Sequence, residues 1–340
     1  MSSTPLETKQ DVFLDTALRP LAWEEYVGQE KLKKNLRILL RAAKERGQPP
    51  EHLLFYGPPG LGKTTLAHII AKEAEANLKI TSGPAIEKVG DLASILTNLS
   101  PGDVFFIDEI HRLSKAVEEV LYPAMESGVL DIIIGKGPSA RTIQLDLPQF
   151  TLIAATTRIA LLSSPLRSRF SGGVHRLEFY SPEEIAKIIK RSASVLHVVV
   201  PDDACAEIAT RSRFTPRTAN YLLKRCRDFA QVHQEHGGSV TKDAVMKALA
   251  LLEIDERGLS SLDKKILETI IVKFNGGPVG VNTIATAVAE EEATIEEVNE
   301  PYLIQIGFLE RTRQGRVATA EAYRHLELKI PEEKQRALLL

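Results

Sequence analysis

The segment best suited to chemistry is a glycine-rich stretch near residue 60. Residues 57–64 read Gly-Pro-Pro-Gly-Leu-Gly-Lys-Thr and match the pattern GxxxxGK[S/T], between a predicted strand, His52–Tyr56, and a helical pattern. Glycines let backbone N–H groups turn towards a β-phosphate, Lys63 can reach the β- and γ-phosphate oxygens, and Thr64 offers a hydroxyl to Mg²⁺. The predicted phosphate-binding set is Gly57, Gly60, Gly62, Lys63, Thr64 and Thr65.

An acidic pair follows another apolar run. Val104–Ile107 is predicted as a buried strand, and Asp108 and Glu109 come directly after it. Asp108 can hold Mg²⁺ together with Thr64, and Glu109 can polarise a water molecule. The alternative is a strand that ends in a solvated acidic turn, and the phosphate loop weighs against it. The two motifs together predict hydrolysis of a nucleoside triphosphate.

The elements that must position these motifs form three successive patterns along the chain. Up to about Tyr180, short apolar runs alternate with helical patterns, as in a parallel sheet covered by helices, with Thr151–Ala155 as a third strand. A capping box at Ser181 and Glu184 then opens an all-helical stretch that lasts to about Arg257. We predict an α/β P-loop domain over residues 1–180, a small helical domain over 181–257 and a winged-helix domain over 258–340.

The winged-helix prediction comes from three helical patterns followed by a hairpin. A capping box at Thr294 and Glu297 is predicted to open the third helix. The predicted helices cover Ser261–Phe274, Asn282–Glu290 and Thr294–Ile306, and the predicted strands cover Phe308–Arg311 and Arg316–Thr319. Some winged helices bind DNA and others bind proteins, so the pattern leaves both functions open.

The composition excludes several classes of protein. Of 340 residues, 44% are hydrophobic and 26% are charged, so a disordered or collagen-like chain is excluded. The net charge of −2 means that any contact with nucleic acid depends on a local basic patch. Two cysteines, Cys205 and Cys226, form no CxxC motif, and no apolar run approaches the roughly 18 residues of a membrane span. With no secretory pattern at the amino terminus, a cytoplasmic location is expected.

Residues 108–111 also spell the DExH box of superfamily 2 helicases, but the chain has no GRxGR-type arginine motif to complete it. Three later stretches, AATT at 154–157, SPLRSRF at 164–170 and TPR at 215–217, instead resemble motifs of the AAA+ family. In that family Thr157 would be the sensor 1 residue, Arg169 an arginine finger for a neighbouring subunit, and Arg217 the sensor 2 residue of a lid domain. Without those roles, Arg169 would be an ordinary surface arginine.

From about Ala17 to His325 the chain resembles the RuvB family of Holliday-junction branch-migration motors. The stretches that carry the resemblance include HLLFYGPPGLGKTTLA, TSGPAIEK, FIDEIHRL, EEVLYPAMESGVLDI, SPLRSRF and EPYLIQIGFL. The resemblance implies ATP and Mg²⁺ as cofactors and a ring of subunits, expected to be a hexamer, that moves duplex DNA at four-way junctions in recombination and repair. It also implies a RuvA-like junction-binding partner and a RuvC-like resolvase, with no membrane involved.

The resemblance also assigns residues beyond the motifs. Those implied to lie near the nucleotide are Leu18, Arg19, Glu126, Ser127, Gly128, Tyr180 and Arg217, and those implied on DNA are Arg311 and Arg316. A predicted hairpin, Val129–Ile134 and Arg141–Leu145, contains Ile132, Ile133 and Ile134. Three successive isoleucines cannot all face one side of a half-buried strand, so at least one is exposed unless the strand is buried on both faces. The resemblance favours this hairpin as the contact for the RuvA-like partner.

Several positions depart from the family pattern. The segment after Phe170 is about one residue longer than usual, Phe214 replaces a usual glycine, and Glu292 stands where a basic residue is common. Residues 259–340 hold 10 Lys and Arg against 13 Asp and Glu, so DNA affinity is expected to rest on the wing-tip residues Arg311, Arg313 and Arg316.

Two other functions stay open, and three further residues are interpreted as structural. A clamp-loader-like switch would use the same nucleotide motifs to open a protein ring, and an ATP-gated regulator would bind duplex DNA through the winged helix. The pair His233 and His236 lacks neighbouring acidic or Cys ligands, so a solvated helix end is favoured over a zinc site. Trp23 is expected in the core.

Overall fold

The computed structural model describes residues 16–134, 141–233 and 239–330, and it divides into two compact units. The first unit ends at Phe179 and the second begins at Tyr180. Among the described residues, no helix has the length and apolar character needed to cross a membrane.

The first unit is built on a five-stranded parallel sheet. Its strands are Leu53–Tyr56 (β1), Leu78–Ser82 (β2), Val104–Asp108 (β3), Thr151–Thr156 (β6) and Val174–Arg176 (β7). They lie in the order β2-β3-β6-β1-β7, and each neighbouring pair runs in parallel. The three predicted strands are confirmed as β1, β3 and β6. Every residue of β6 and all of β3 except Asp108 are buried, because helices cover both faces of a parallel sheet.

The order of the strands brings three carboxyl ends together. Strand β6 lies between β1 and β3, with Tyr56 opposite Thr156 and Ile107 opposite Ala154. Residues that follow these three strands therefore meet at one edge of the sheet. In open α/β sheets this edge is where ligands bind.

Helices and one hairpin surround this sheet in the described part of the first unit. The helices are Glu30–Glu45 (α1), Lys63–Glu73 (α2), Val89–Thr97 (α3), Lys115–Glu126 (α4) and Ser164–Ser168 (α5), with 3₁₀ turns at Gly83–Ala85, Ile110–Arg112 and Ile159–Leu161. The predicted hairpin is confirmed as the antiparallel pair Val129–Ile134 (β4) and Arg141–Asp146 (β5). Residues 135–140 and the side chains of Ile132, Ile133 and Ile134 lie outside the described part. Trp23 is buried, as predicted.

The second unit begins with four helices whose starts follow from their caps. They are Pro182–Val195 (α6), Asp202–Arg211 (α7), Pro216–Val232 (α8) and Lys242–Leu251 (α9). The predicted capping box is present, since the Ser181 side chain accepts from Glu184 N and the Glu184 carboxylate accepts from Ser181 N. Proline at the first position of α6 and α8 loses no helical hydrogen bond.

The same unit ends in a winged helix. Its elements are Ser261–Glu268 (α10) with a π-turn at Thr269–Lys273, Val281–Val288 (α11), Glu292–Thr294 (α12) with a π-turn at Ile295–Asn299, Glu300–Gln305 (α13), Leu309–Arg311 (β8), Arg316–Ala318 (β9) and Ala320–His325 (α14). The capping box predicted at Thr294 and Glu297 is wrong. Thr294 has helical backbone angles, because the helix starts at Glu292 and continues through the π-turn, which buries Ile295.

Side chains hold the helical stretch and the winged helix together within the second unit. Arg213 lies 3.3 Å from the buried Asp263 and 4.7 Å from the ring centroid of Tyr302. The Tyr302 hydroxyl donates to Arg257 O, and His325 Nε2 lies 2.9 Å from Asp255 Oδ2. Charged and aromatic groups thus join the two parts into one compact body.

Candidate functional site

The glycine-rich loop connects β1 to α2 and has the backbone shape of a phosphate cradle. Gly57 and Gly62 have φ values of 144° and 97°, a region that favours glycine. A Cβ at Gly57 would lie 2.8 Å from Leu177 O, and one at Gly62 would lie 3.1 Å from the Tyr26 hydroxyl. Lys63 is only 7% exposed, and its Nζ donates to Gly57 O and Pro58 O at 2.8 Å. A side chain at Gly57 would collide with backbone, one at Gly62 would crowd Tyr26 and take up a strained φ, and the Lys63 ammonium is held by carbonyl groups of the loop itself.

The first turn of α2 meets the end of β3. Thr64 Oγ1 donates to Asp108 Oδ2 at 3.3 Å, and Asp108 Oδ1 accepts from Glu109 N at 3.0 Å. A hydroxyl and a carboxylate oxygen side by side fit Mg²⁺, which prefers oxygen ligands and completes its shell with phosphate oxygens and water. The described residues contain no cluster of three or more His, Cys, Asp or Glu side chains that could form an all-protein metal site.

Two side chains contact the carboxylate of Glu109, and a third holds one of them. Thr157 Oγ1 donates to Glu109 Oε2 at 3.4 Å, and His111 Nε2 lies 3.5 Å from the same oxygen. His111 Nδ1 lies 2.9 Å from Thr156 Oγ1 on its other side. A neutral ring with its proton on Nε2 satisfies both contacts, because Thr156 can then donate to Nδ1. The structure therefore brings Glu109 and Thr157 together.

His111 is a site residue that the sequence did not single out for this role. Its side chain is 6% exposed and bridges the end of β6 to the carboxylate of Glu109. The only sequence signal for His111 is its place three residues after Asp108, which completes a DExH pattern. The contact depends on the parallel pairing of β3 and β6.

The predicted finger, Arg169, ends helix α5 and packs on α4. Its guanidinium carbon lies 4.4 Å from the ring centroid of Tyr122, Nη2 lies 3.1 Å from Glu126 Oε1, and Nη1 donates to Pro165 O at 2.7 Å. Glu126, predicted near a nucleotide, is thus placed beside Arg169 of its own chain. Ser127 ends α4, and Gly128, with φ 64°, accepts from Leu147 N.

The remaining predicted nucleotide residues are divided between the two units. Leu18 is buried, and Arg19 Nη1 contacts His68 Nε2 on α2, the helix that follows the phosphate loop. Burial, followed by the charge of Arg19, lowers the pKa of His68. In the second unit, Tyr180 is buried with its N–H bonded to Phe214 O, and Arg217 is exposed in the first turn of α8.

The wing arginines differ in their surroundings. Arg316 is 8% exposed, and its Nη2 lies 2.9 Å from both Glu296 Oε1 and Glu300 Oε2. Burial opposes its charge, but hydrogen bonds and charge from Glu300 and Glu296 raise the pKa of Arg316. Arg311, near the same two glutamates at 3.8 and 3.9 Å, is exposed, as is Arg313.

Of the pair His233 and His236, only His233 is described, and its contacts are not those of a metal ligand. His233 Nδ1 lies 2.9 Å from Phe229 O, and the ring stacks on Phe229 with centroids 4.1 Å apart. His236 lies outside the described residues. Cys205 and Cys226 are both buried and free.

Comparisons with known proteins cover nearly all of the chain. Residues 18–177 match the model of the Holliday junction DNA helicase RuvB P-loop domain, residues 180–255 the RuvB AAA lid domain, and residues 256–327 the RuvB C-terminal winged helix domain. The chain is 57% identical over 324 residues to the Holliday junction branch migration complex subunit RuvB of Dehalococcoides mccartyi (strain CBDB1), covering 95% of this chain and 92% of that protein.

Solved structures agree with the sequence comparisons. The Thermotoga maritima RuvB Holliday junction branch migration motor has a TM-score of 0.85 at 50% identity, covering 93% of this chain and 100% of that chain. A mutant of T. maritima RuvB has a TM-score of 0.84 at 51% identity, covering 92% and 99%. With its P-loop domain, lid and winged helix all matched, the chain belongs to the RuvB family of AAA+ proteins.

Proposed function

We propose that this chain is the ATP-hydrolysing motor subunit of a branch-migration complex that moves duplex DNA through Holliday junctions. The observation that carries the proposal is the meeting of Thr64, Asp108 and Glu109 at one sheet edge beside the phosphate loop. Family membership over 95% of the chain connects that ATPase site to branch migration. Recombination and DNA repair are the processes that this reaction serves.

The phosphate loop supplies binding and charge. Backbone N–H groups of residues 57–65, the start of α2 and the Lys63 ammonium bind the phosphates of ATP. Thr64 Oγ1 and Asp108 Oδ2 are the groups that would hold Mg²⁺. When bound, Mg²⁺ neutralises charge on the β- and γ-phosphate oxygens.

Glu109 orients the water that attacks the γ-phosphate and accepts its proton. A carboxylate can do this only if it points at the water, and Thr157 and His111 restrict where the Glu109 carboxylate points. From the family resemblance, Thr157 is also proposed to sense the γ-phosphate.

We assign the other nucleotide contacts from the family resemblance. Leu18, Arg19, Tyr180, Arg217 and the segment Glu126–Gly128 are the proposed nucleotide contacts, and Arg169 completes the site of a neighbouring subunit in a ring, proposed to be a hexamer. Arg169 stabilises charge that develops on the transferred phosphoryl group. Assembly is therefore part of catalysis.

DNA and protein partners complete the proposal. Exposed Arg311 and Arg313 bind phosphates of duplex DNA, with Arg316 behind them, and a ring multiplies these weak contacts. A RuvA-like protein binds the β4–β5 hairpin and positions the ring on a four-way junction, on which a RuvC-like resolvase acts. The site of action is the cytoplasm.

Branch migration on a synthetic four-way junction tests the proposal. With a RuvA protein, Mg²⁺ and ATP, the chain should separate the junction into two duplexes, and a Lys63→Ala variant should not. The absence of ATP-dependent movement with and without RuvA would overturn the motor function. Stimulation of ATPase activity by a sliding clamp but not by junction DNA would support the clamp-loader alternative.

A further inference from the structure

Helix α4 presents three polar side chains, one per turn, on the face that meets helix α5. Glu118, Tyr122 and Glu126 are four residues apart, a spacing that places them on one side of a helix. Helix α5 covers Ser164–Ser168, with Ser163 as its N-cap and Arg169 as its C-cap. The three side chains of α4 therefore lie along the short helix that carries the finger.

Two of these side chains, Glu118 and Tyr122, contact Ser163 at the start of α5. The Tyr122 hydroxyl donates to Glu118 Oε1 at 2.8 Å and lies 3.0 Å from Ser163 Oγ. Ser163 Oγ also donates to the Glu118 carboxylate and caps α5 by accepting from Leu166 N at 3.2 Å. The hydroxyl of Tyr122 is thus fixed near the start of α5, and the face of its ring lies near the end of that helix.

Arg169 lies on that face. Its guanidinium is 4.4 Å above the ring of Tyr122, within the range of a cation–π contact, and forms an ion pair with Glu126 at 3.1 Å. Pro165 O accepts a third contact, from Nη1 at 2.7 Å. The Arg169 side chain is 19% exposed, whereas that of Glu126 is 56% exposed. The ring is therefore the fixed support, and Glu126 is a partner that a phosphate can replace.

We infer that Tyr122 and Glu126 are positioning residues that hold Arg169 in the orientation it needs to reach the nucleotide of a neighbouring subunit. The inference rests on the proposed function, in which Arg169 acts in trans. A long arginine side chain samples many rotamers, and a preformed orientation removes most of that freedom before the subunits meet. The ring keeps the guanidinium plane in place while the carboxylate is exchanged for phosphate oxygens.

Mixed rings test the inference, because a defect in the finger must act on a different subunit from a defect in the phosphate loop. Tyr122→Leu removes the aromatic face and keeps an apolar side chain. Alone, it should lower junction-stimulated ATP hydrolysis between about 10- and 100-fold, with little change in nucleotide binding by the subunit. Mixed with Lys63→Ala, it should regain activity, since intact phosphate loops then meet intact fingers. Mixed with Arg169→Ala, it should not.

Matched variants separate positioning from folding. Tyr122→Phe keeps the ring face and should restore most of the rate, whereas a loss equal to that of Tyr122→Leu would overturn the role of the ring. Glu126→Gln keeps the size of the side chain, and it should be complemented by Lys63→Ala in the same way. This second variant decides the question if Tyr122→Leu fails to fold by circular dichroism.

The reference mixture distinguishes the two proposals. Lys63→Ala with Arg169→Ala must regain activity if the site is shared between subunits, and its failure overturns the shared site on which the proposed function relies for Arg169. If that mixture recovers while Tyr122→Leu and Glu126→Gln are not rescued by Lys63→Ala, the positioning role is overturned and the shared site stands.

Discussion

Thr64 Oγ1 donates a hydrogen bond to Asp108 Oδ2 over 3.3 Å, which joins two motifs 44 residues apart in the chain. Thr64 lies in the first turn of α2, after β1, and Asp108 ends β3. The contact exists because β6 separates β1 from β3 and all three strands run in parallel. Two oxygen atoms are thereby placed where the proposed function requires a Mg²⁺ ligand pair.

Two substitutions of Thr64 distinguish the effect of its hydroxyl from the effect of its side-chain shape. Thr64→Val should lower Mg²⁺-dependent ATP hydrolysis at least about tenfold, since a ligand oxygen is lost. Thr64→Ser retains the hydroxyl and should keep most of the rate. Steady-state hydrolysis measured across a Mg²⁺ titration gives the result, and identical Mg²⁺ dependence in the two variants would contradict the assignment.

His111 should affect turnover more than nucleotide binding, because it contacts Glu109 and not the phosphate loop. We expect His111→Phe to reduce kcat about tenfold or more with a nearly unchanged KM for ATP. Its effect should not add to that of Thr156→Val, because the two side chains share one contact. A double-mutant cycle on kcat measures this coupling. Strict additivity would show that the His111–Thr156 contact does not act on Glu109.

The wing arginines should have different effects on DNA binding and on stability. Arg313→Ala should weaken binding to duplex DNA at every sequence and reduce the slope of log affinity against log salt by about 1 if it holds one phosphate. Its melting temperature should stay near that of the wild type, because the Arg313 side chain is exposed. Fluorescence anisotropy at several salt concentrations measures the slope.

Arg316→Ala should instead destabilise the winged helix. The change leaves the buried carboxylate of Glu300 with only the exposed Arg311, whose Nε lies 3.9 Å away, and breaking a buried ion pair in this way costs about 3 kcal/mol. Urea unfolding measures the loss, with Arg313→Ala as the matched control. Wild-type stability combined with lost DNA affinity would instead make Arg316 a direct DNA contact with little structural role.

Acid should destabilise the first unit through histidines that are held neutral. Burial lowers the pKa of His52, and a hydrogen bond to Met125 O only partly offsets this. As the pH falls, the unfolded chain binds a proton near its ordinary value of 6.5 before the folded chain does. The contribution of His52 to stability is therefore complete above that value and is lost as the pH falls from it towards the lower pKa of the folded state. Burial also lowers the pKa values of His68 and His175.

Unfolding by urea at about pH 8 and about pH 5.5 measures this loss. We expect His52→Gln to lose less stability over that interval than the wild type. The exposed His197→Gln should behave as the wild type does and serves as the control. Equal pH dependence in His52→Gln and the wild type would contradict the role of His52.

The linear motifs alone determined the phosphate loop, the acidic pair and the order of the three structural parts. Each of these features is local, because a glycine pattern between a strand and a helix needs only neighbouring residues to take its shape. Local signals also failed once. The cap predicted at Thr294 does not form. The helix starts at Glu292 instead, because the π-turn buries Ile295 in the winged-helix core.

The tertiary structure decided which distant side chains meet. His111 contacts Thr156 only because β3 and β6 pair in parallel, and Arg169 reaches Tyr122 only because α5 packs on α4. The same holds for Arg316, which the family resemblance implied on DNA and which packing encloses between Glu296 and Glu300. Such contacts depend on strand order and helix packing, which follow from burial of the whole core and leave no spacing signal in a single sequence.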